Sequence, residues 1–251
     1  MKLFILVLLL SVSIQARYFK CNKNLSCGCG YSDVEINNVR VIDGEEAVPY
    51  SWSMIVSIRY NLFQDGNFLR HACGGTILTD SYILTAASCL VDFKDNIEDA
   101  NVTIAAGIHY KSQSFHVVRE VDGMIIHPQW TSSWNSDYDI ALLHLSEPLD
   151  FQMNPFMTRS CISAQLNNTE ELLQYPPTNT TLAVVGWGRT TRFGDDSDIL
   201  RQIIVSSIDP DSTQCAAHVM NPIRQFCAGV HKDSIGQRLI LYSSFHCIDV
   251  F

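Results

Sequence analysis

Alternating apolar and polar positions predict short β-strands along most of the chain. Across residues 52–60, apolar side chains at every second position alternate with Ser53, Ser57 and Arg59, a pattern typical of a half-buried strand. Turn-forming residues separate such segments, and only 211–219, with Asp211-Ser212 as its N-cap, has the pattern of a helix. The other predicted strands are Tyr82–Ala86, Val102–Ala106, His116–Val121, Ile140–Leu145, Thr181–Val185, Arg201–Ser207 and Arg238–Tyr242. Many short strands joined by polar loops favour antiparallel barrels or sandwiches.

The amino-terminal 40 residues divide into two segments. Residues 1–16 combine Lys2 with an apolar run that continues to Ile14, which is too short to span a bilayer and predicts a signal peptide cleaved near Ala16. Residues 17–40 contain three cysteines and two glycines among polar residues, without a helical or strand period. They are interpreted as a disulfide-linked leader.

Composition favours an extracellular protein. The chain contains nine cysteines, and no later segment is apolar over the ~18 residues that a membrane helix needs, so a secreted chain without a membrane span is expected. The formal net charge of -9 argues against nucleic acid as a partner. The cysteines and histidines lack the paired spacing of a metal site, and no cofactor is expected. Candidate glycosylation sequons begin at Asn24, Asn101, Asn167 and Asn179.

Six short segments resemble motifs of a known enzyme family, and they occur in the family's order and at close to its spacing. They are Val41-Ile42-Asp43-Gly44, Cys73-Gly74-Gly75, Thr85-Ala86-Ala87-Ser88-Cys89, Asp139-Ile140-Ala141-Leu142-Leu143, Gly186-Trp187-Gly188 and Phe226-Cys227-Ala228-Gly229. Over residues 40–229 the chain therefore resembles the chymotrypsin- and trypsin-like serine peptidases, the peptidase S1 family.

This resemblance implies an all-β fold of two antiparallel six-stranded barrels with the active site between them. Residues 41–234 would form the peptidase-like domain, with the first barrel at 41–148, a linker at 149–180 and the second barrel from 181. Residues 235–251 diverge from the family, so the second barrel is expected to be incomplete and the chain to be a C-terminally truncated member.

Two departures from the family concern catalysis itself. Ser88 stands at the position of the catalytic histidine, and a hydroxyl cannot serve as the base that titrates near neutral pH. The nucleophile motif Gly-Asp-Ser-Gly-Gly-Pro should follow Phe226–Gly229, but the chain continues Val-His-Lys-Asp-Ser-Ile-Gly-Gln-Arg-Leu, and the motif occurs nowhere in the sequence. The resemblance therefore predicts a catalytically defective peptidase scaffold.

Other positions keep the family residue but lose its context. Arg40-Val41 resembles a zymogen activation site, whose new amino terminus pairs in the family with an aspartate beside the nucleophile, which is missing here. Asp139 matches the carboxylate that orients the histidine; we interpret it as vestigial and structural, with Ser88 as its hydrogen-bond donor. Asp233 resembles the aspartate of a trypsin-like specificity pocket, but Ile235 follows where a cysteine should, which favours a solvated loop residue.

The resemblance also implies disulfides. Cys73 would pair with Cys89 and Cys215 with Cys227. Cys161 would reach back to the leader, with Cys29 as the first choice and Cys21–Cys27 as the remaining pair, although other pairings among these four stay open. Cys247 is left over, which indicates a free thiol, a covalent partner or an incomplete reading frame.

Three functional hypotheses follow. The first is a secreted, non-catalytic serine-peptidase homologue that binds a protein partner such as a protease, an inhibitor or a surface ligand. The second is a working trypsin-like serine endopeptidase. The third is a truncated isoform whose tail after Ser234 replaces the true carboxyl terminus. The loss of the histidine far upstream of the tail favours the first over truncation alone.

Overall fold

β-Strands make up almost all of the regular structure. The computed structural model describes residues 16–37, 44–60, 70–90, 101–114, 117–131, 138–162, 176–189, 195–213, 215–216, 219, 221, 225–229, 240–242 and 249–250. Within these ranges the one helical element is a 3-10 helix, Ala87–Leu90. The strands are β1 Ala16–Phe19, β2 Val34–Asn37, β3 Glu45–Glu46, β4 Ile55–Tyr60, β5 Arg70–Ile77, β6 Tyr82–Thr85, β7 Thr103–Ala106, β8 Val117–Ile126, β9 Ala141–Leu145, β10 Thr181–Gly186, β11 Arg201–Ile208, β12 Cys227–Gly229, β13 Ile240–Tyr242 and β14 Asp249–Val250.

The first half of the chain forms a closed antiparallel barrel. Its strand order is β4-β5-β6-β9-β8-β7, and pairing of β7 with β4 closes it, with Ala106 opposite Val56. Closure leaves no unpaired strand edge and directs alternate side chains inward. Fully buried members of its core include Val56, Ile58, Ile77, Ile83, Ile104 and Leu143.

Strand β5 was not predicted from the sequence, because Gly74 and Gly75 lie in its middle and glycine is disfavoured in strands. The structure gives the reason for Gly75. A Cβ on this buried residue would lie 2.8 Å from Cγ2 of Ile83 and 3.2 Å from the carbonyl oxygen of Leu84, so the glycine allows β6 to approach. Close packing outweighs strand propensity here.

The second half forms an open sheet. The order is β13-β12-β11-β10-β14, and β3 also pairs with β11, with Glu46 opposite Arg201. No pairing within the described residues joins the outer strands, whereas the corresponding strands of the first barrel are joined. The structure thus confirms an all-β fold with one closed six-stranded barrel and an incomplete second one.

The divergent tail contributes to this open sheet. The strand expected at 238–242 is present as Ile240–Tyr242, which pairs with Cys227–Gly229. The short strand Asp249–Val250 was not predicted and pairs with Val184 and Val185 of β10. The tail therefore supplies the strand at each of the two edges of the sheet.

Two sequence interpretations need correction. The leader does contain strands, because β1 and β2 form an antiparallel pair. Strand β2, which buries Ile36, is only four residues long, so its alternation is too short to stand out in the sequence. The helix predicted at 211–219 is not formed over its described residues. Isolated helical hydrogen bonds remain there, from Ala216 N to Ser212 O and from Val219 N to Cys215 O, since so short a segment gains little from helix propagation.

The disulfides also correct one prediction. Cys73 is joined to Cys89 and Cys215 to Cys227, the pairs that the resemblance implies. The leader pairing differs, because Cys27 reaches Cys161 and Cys29 pairs with Cys21. Gly28 explains this choice: its backbone is in the left-handed region at φ 78°, and its N–H donates to the carbonyl oxygen of Arg159 at 2.7 Å, which brings Cys27 to Cys161.

The barrel and the open sheet meet along the segment that follows β7. The carbonyl oxygen of His109 accepts hydrogen bonds from Nε1 of Trp187 at 3.1 Å and from the backbone N–H of Leu200 at 2.9 Å. Next along the chain, Ser112 donates through its N–H and its Oγ to the two carboxylate oxygens of Asp198, at 2.9 and 2.7 Å. These contacts fix the two halves against each other.

Two basic side chains lie beside this junction. Arg59 donates from Nη2 to the carbonyl oxygen of Lys111 at 2.8 Å. Burial lowers the pKa of both side chains below their ordinary values, and the charge of Asp198 acts in the opposite direction on each.

No helix in the described part of the chain is long and apolar enough to cross a membrane.

We expect amide hydrogen exchange to be uneven between the two halves. The strands of the closed barrel, β4 to β9, should exchange slowly, and β10 to β14 faster, because an open sheet with short outer strands opens locally at lower cost. Hydrogen exchange with mass spectrometry on the disulfide-intact protein measures this. Equal protection in both halves would contradict the expectation and show that the tail completes the second barrel.

Candidate functional site

Two adjacent strands bring Ser88 and Asp139 together. Strands β6 and β9 are antiparallel neighbours, with Thr85 opposite Ala141. The chain that leaves β6 and the chain that enters β9 therefore lie at the same end of the barrel. The first carries Ser88 in the 3-10 helix that follows β6, and the second carries Asp139 two residues before β9.

The backbone before β9 is held in an uncommon conformation. Tyr138 has φ 63°, in the left-handed region that residues with bulky side chains rarely occupy. Its ring stacks on His127, with 4.4 Å between centroids and 12° between planes. The N–H of His127 donates to the carbonyl oxygen of Ile140 at 3.1 Å. These contacts fix the turn from which Asp139 enters the protein interior.

The carboxylate of Asp139 receives two hydrogen bonds from Ser88. The backbone N–H of Ser88 donates to Oδ1 at 2.7 Å, and its hydroxyl donates to Oδ2 at 2.8 Å. Asp139 is only 5% exposed, so the two charge-assisted bonds compensate a carboxylate that is largely removed from water. Because Ser88 N lies in the first turn of the 3-10 helix, the same carboxylate also caps that helix.

This pair has the chemistry of a structural contact. The Ser88 hydroxyl donates to Asp139, and a serine hydroxyl, unlike an imidazole, does not change its protonation state near neutral pH. The arrangement can hold a buried charge in place.

Several predicted site residues lie outside the described part of the chain, namely Arg40, Val41, Asp233, Asn167 and Cys247. The other three sequon asparagines, Asn24, Asn101 and Asn179, are exposed. Asn101 and Asn179 have positive φ values of 45° and 66°, a conformation that asparagine tolerates better than most residues. Across the described residues, no three His, Cys, Asp or Glu side chains are grouped so that they could hold a metal ion.

A second polar cluster was not anticipated from the sequence. Nε2 of His109, a residue only 1% exposed, lies 3.0 Å from Oε1 of Glu46. Gln202, also 1% exposed, donates from Nε2 to Oε1 of Glu45 at 3.0 Å and accepts at Oε1 from Nε1 of Trp52 at 2.8 Å. The two glutamates directly follow the motif 41–44, which is the one local clue. Their partners lie 63 and 157 residues away, beyond the reach of pattern analysis.

Comparison with known proteins connects this geometry to one family. The Trypsin family model matches residues 41–237. Chymotrypsin-C of Mus musculus is 30% identical over 200 residues, which cover 77% of this chain and 65% of the relative. Chymotrypsin-like elastase family member 1 of Rattus norvegicus is 29% identical over 213 residues, covering 80% of this chain and 71% of the relative. The chain thus spans 65% of the length of the first of these curated relatives and 71% of the second.

We expect Ser88→Ala to destabilise the protein by about 1–3 kcal/mol, because it removes one donor from a buried carboxylate. Urea unfolding followed by tryptophan fluorescence measures the change in the free energy of unfolding. Ser81→Ala is the matched control, since Ser81 Oγ donates to Asp80 Oδ1 at 2.9 Å in an exposed pair and its loss should cost less than about 0.5 kcal/mol. Equal effects of the two substitutions would show that the Ser88 hydroxyl does not stabilise Asp139.

Proposed function

Because the chain belongs to the trypsin family of serine peptidases, we propose that it is a non-catalytic member of that family, exported from the cell and acting as a binding or regulatory protein. The contact between the Ser88 hydroxyl and Asp139 carries this proposal. At the position where the family places its base, this chain has a donor that is engaged with the buried carboxylate.

The substitution explains how the site can lose its base and keep its local structure. In the triad mechanism the histidine donates to the aspartate through one ring nitrogen and exchanges a proton with the nucleophile through the other. Ser88 reproduces the first contact through its hydroxyl, so Asp139 keeps a donor. It has no second titrating atom, so the proton transfer has no carrier.

The sequence after β12 supports the same proposal. The family resemblance places the nucleophile motif after Cys227–Gly229, where this chain instead has Val230, His231 and Lys232 followed by Asp-Ser-Ile-Gly-Gln-Arg-Leu. In the family the same motif provides backbone N–H groups that stabilise the oxyanion. Loss of a triad alone costs about 10⁶ in turnover, close to 8 kcal/mol of barrier, and the remaining catalysis depends on oxyanion stabilisation and substrate binding.

Export is supported by the disulfides and by the sequon positions. The described residues hold four disulfides, and one of them, Cys27–Cys161, lies near the surface, where a reducing cytosol would open it. Asn24, Asn101 and Asn179 are exposed, as a glycan acceptor must be. The apolar segment at 1–16 provides the means of export.

A working serine endopeptidase is the second candidate. The names of the relatives, chymotrypsin-C and chymotrypsin-like elastase, favour it, because similarity to proteins with peptidase names extends over most of the chain. It would require another base and another nucleophile. The test below separates the two candidates.

We expect no labelling of the purified protein by a serine-directed fluorophosphonate and no hydrolysis of peptide substrates with Arg, Lys, aromatic or small residues at the cleavage position. This should hold before and after cleavage at Arg40, because both base and nucleophile motif are missing. Gel fluorescence and peptide assays measure it, with active mouse chymotrypsin-C as positive control. Labelling that disappears on substitution of one serine would establish a nucleophile and favour the second candidate.

We expect Ser88→His to remain inactive in the same assays. The new imidazole can donate to Asp139 in place of the hydroxyl, so the base and its orienting group are restored, but the nucleophile is not. Ser88→Ala is the matched control, and thermal unfolding verifies that both variants are folded. Peptide hydrolysis by Ser88→His alone would show that a nucleophile lies within reach of this position.

A further inference from the structure

The leader is fastened to the rest of the protein at more points than its disulfide. Near Cys27–Cys161, the N–H of Gly28 donates to the carbonyl oxygen of Arg159 at 2.7 Å. Gly30 is buried directly against the backbone of residue 51: a Cβ on Gly30 would lie 2.1 Å from the carbonyl oxygen of Ser51. Only a glycine can occupy this position without a shift of backbone.

The next residues continue the contact. The N–H of Tyr31 donates to Oγ of Ser53 at 3.0 Å, and the N–H of Ser32 donates to the carbonyl oxygen of Tyr50 at 3.3 Å. The Tyr31 ring also meets the edge of Phe156, with centroids 4.8 Å apart. Backbone groups of the leader therefore find partners on the body, as they would within a single folded unit.

At its far end the leader is held by the cluster around Glu45. Oε1 of Glu45 accepts the N–H of Asn37 at 2.7 Å and also Nε2 of Gln202 at 3.0 Å. The same Nε2 donates to the carbonyl oxygen of Glu35 at 2.6 Å. Between these two leader residues, Ile36 is only 2% exposed. Leader strand β2, strand β3 and strand β11 thus share one partly buried hydrogen-bond network around the buried side chain of Gln202.

The two ends of the segment that contains the Arg40-Val41 bond are therefore fixed to each other. Asn37 and Glu45 are in direct contact, and Glu45 belongs to β3, which pairs with Gln202 and Arg201 of β11. The contacts described above are all made by residues outside 38–43, so none of them is made by the residues that flank the Arg40-Val41 bond.

We propose that the leader is permanently docked to this protein through its described part, residues 17–37, and stays bound after the Arg40-Val41 bond is cut even when the Cys27–Cys161 disulfide is open. The docking surface consists of the segment around Ser51, the segment around Arg159 and the Glu45–Gln202 pair. The proposal does not depend on whether the protein is catalytic.

The test uses the full chain with a recognition sequence for a site-specific protease inserted between Arg40 and Val41. After cleavage, the leader is followed by size-exclusion chromatography and intact mass measurement in the Cys27→Ser/Cys161→Ser variant. A second arm reduces the cleaved, already folded protein with mild thiol, because Cys161 is exposed whereas Cys73, Cys215 and Cys227 are buried. In both arms we expect the leader to co-elute with the rest of the chain.

Variants at the docking surface are compared by how strongly each one retains the cleaved leader. Gly30→Ala should weaken retention of the leader at least about tenfold, because the added methyl collides with the Ser51 backbone. Glu45→Ala should also weaken it, whereas Glu45→Gln keeps a carbonyl acceptor and should rescue it. Leu25→Ala, at an exposed leader residue, is the control and should change nothing. Separate elution of the leader in both arms, with Gly30 and Glu45 intact, would overturn the proposal.

Discussion

The requirement that buried polar groups find partners governs both the Ser88–Asp139 pair and the attachment of the leader. Asp139 is almost fully buried and receives two donors from Ser88. Gln202 is equally buried, and its amide is hydrogen-bonded to Trp52, Glu35 and Glu45. In each place a side chain of one segment satisfies groups of a distant segment, so the fold cannot change there without leaving a polar atom unpaired.

Under the proposed function, the Ser88–Asp139 contact explains how a scaffold can persist without its base. The aspartate needs a donor, and a hydroxyl meets that need as well as an imidazole N–H does. Acid–base chemistry needs a second property, a pKa near neutrality, which the hydroxyl lacks. At position 88, the structural requirement for a donor to Asp139 can thus be met without the chemical requirement for a base.

Much of the fold was predictable where the pattern is local. The strands of the first barrel other than β5 follow from alternation, and the family resemblance supplied the barrel architecture and the Cys73–Cys89 pair. The sequence did not indicate β5, because close approach of β6 requires Gly75, and a glycine weakens a strand prediction. It also gave the wrong leader pairing, because the choice between Cys27 and Cys29 depends on the backbone of Gly28. Of the candidate site, the pairing of Ser88 with Asp139 was anticipated, whereas the roles of His109 and Gln202 depend on residues far away in the chain.

The junction between barrel and open sheet has a consequence for how the fold tolerates substitutions elsewhere. It consists of the His109 carbonyl with Trp187 and Leu200 and of Ser112 with Asp198, and none of these contacts involves Ser88 or Asp139. The contacts that hold the two halves together therefore involve positions separate from Ser88 and Asp139. A substitution at Ser88 or Asp139 removes none of these junction contacts, so the two halves can stay joined while the chemistry at that pair changes.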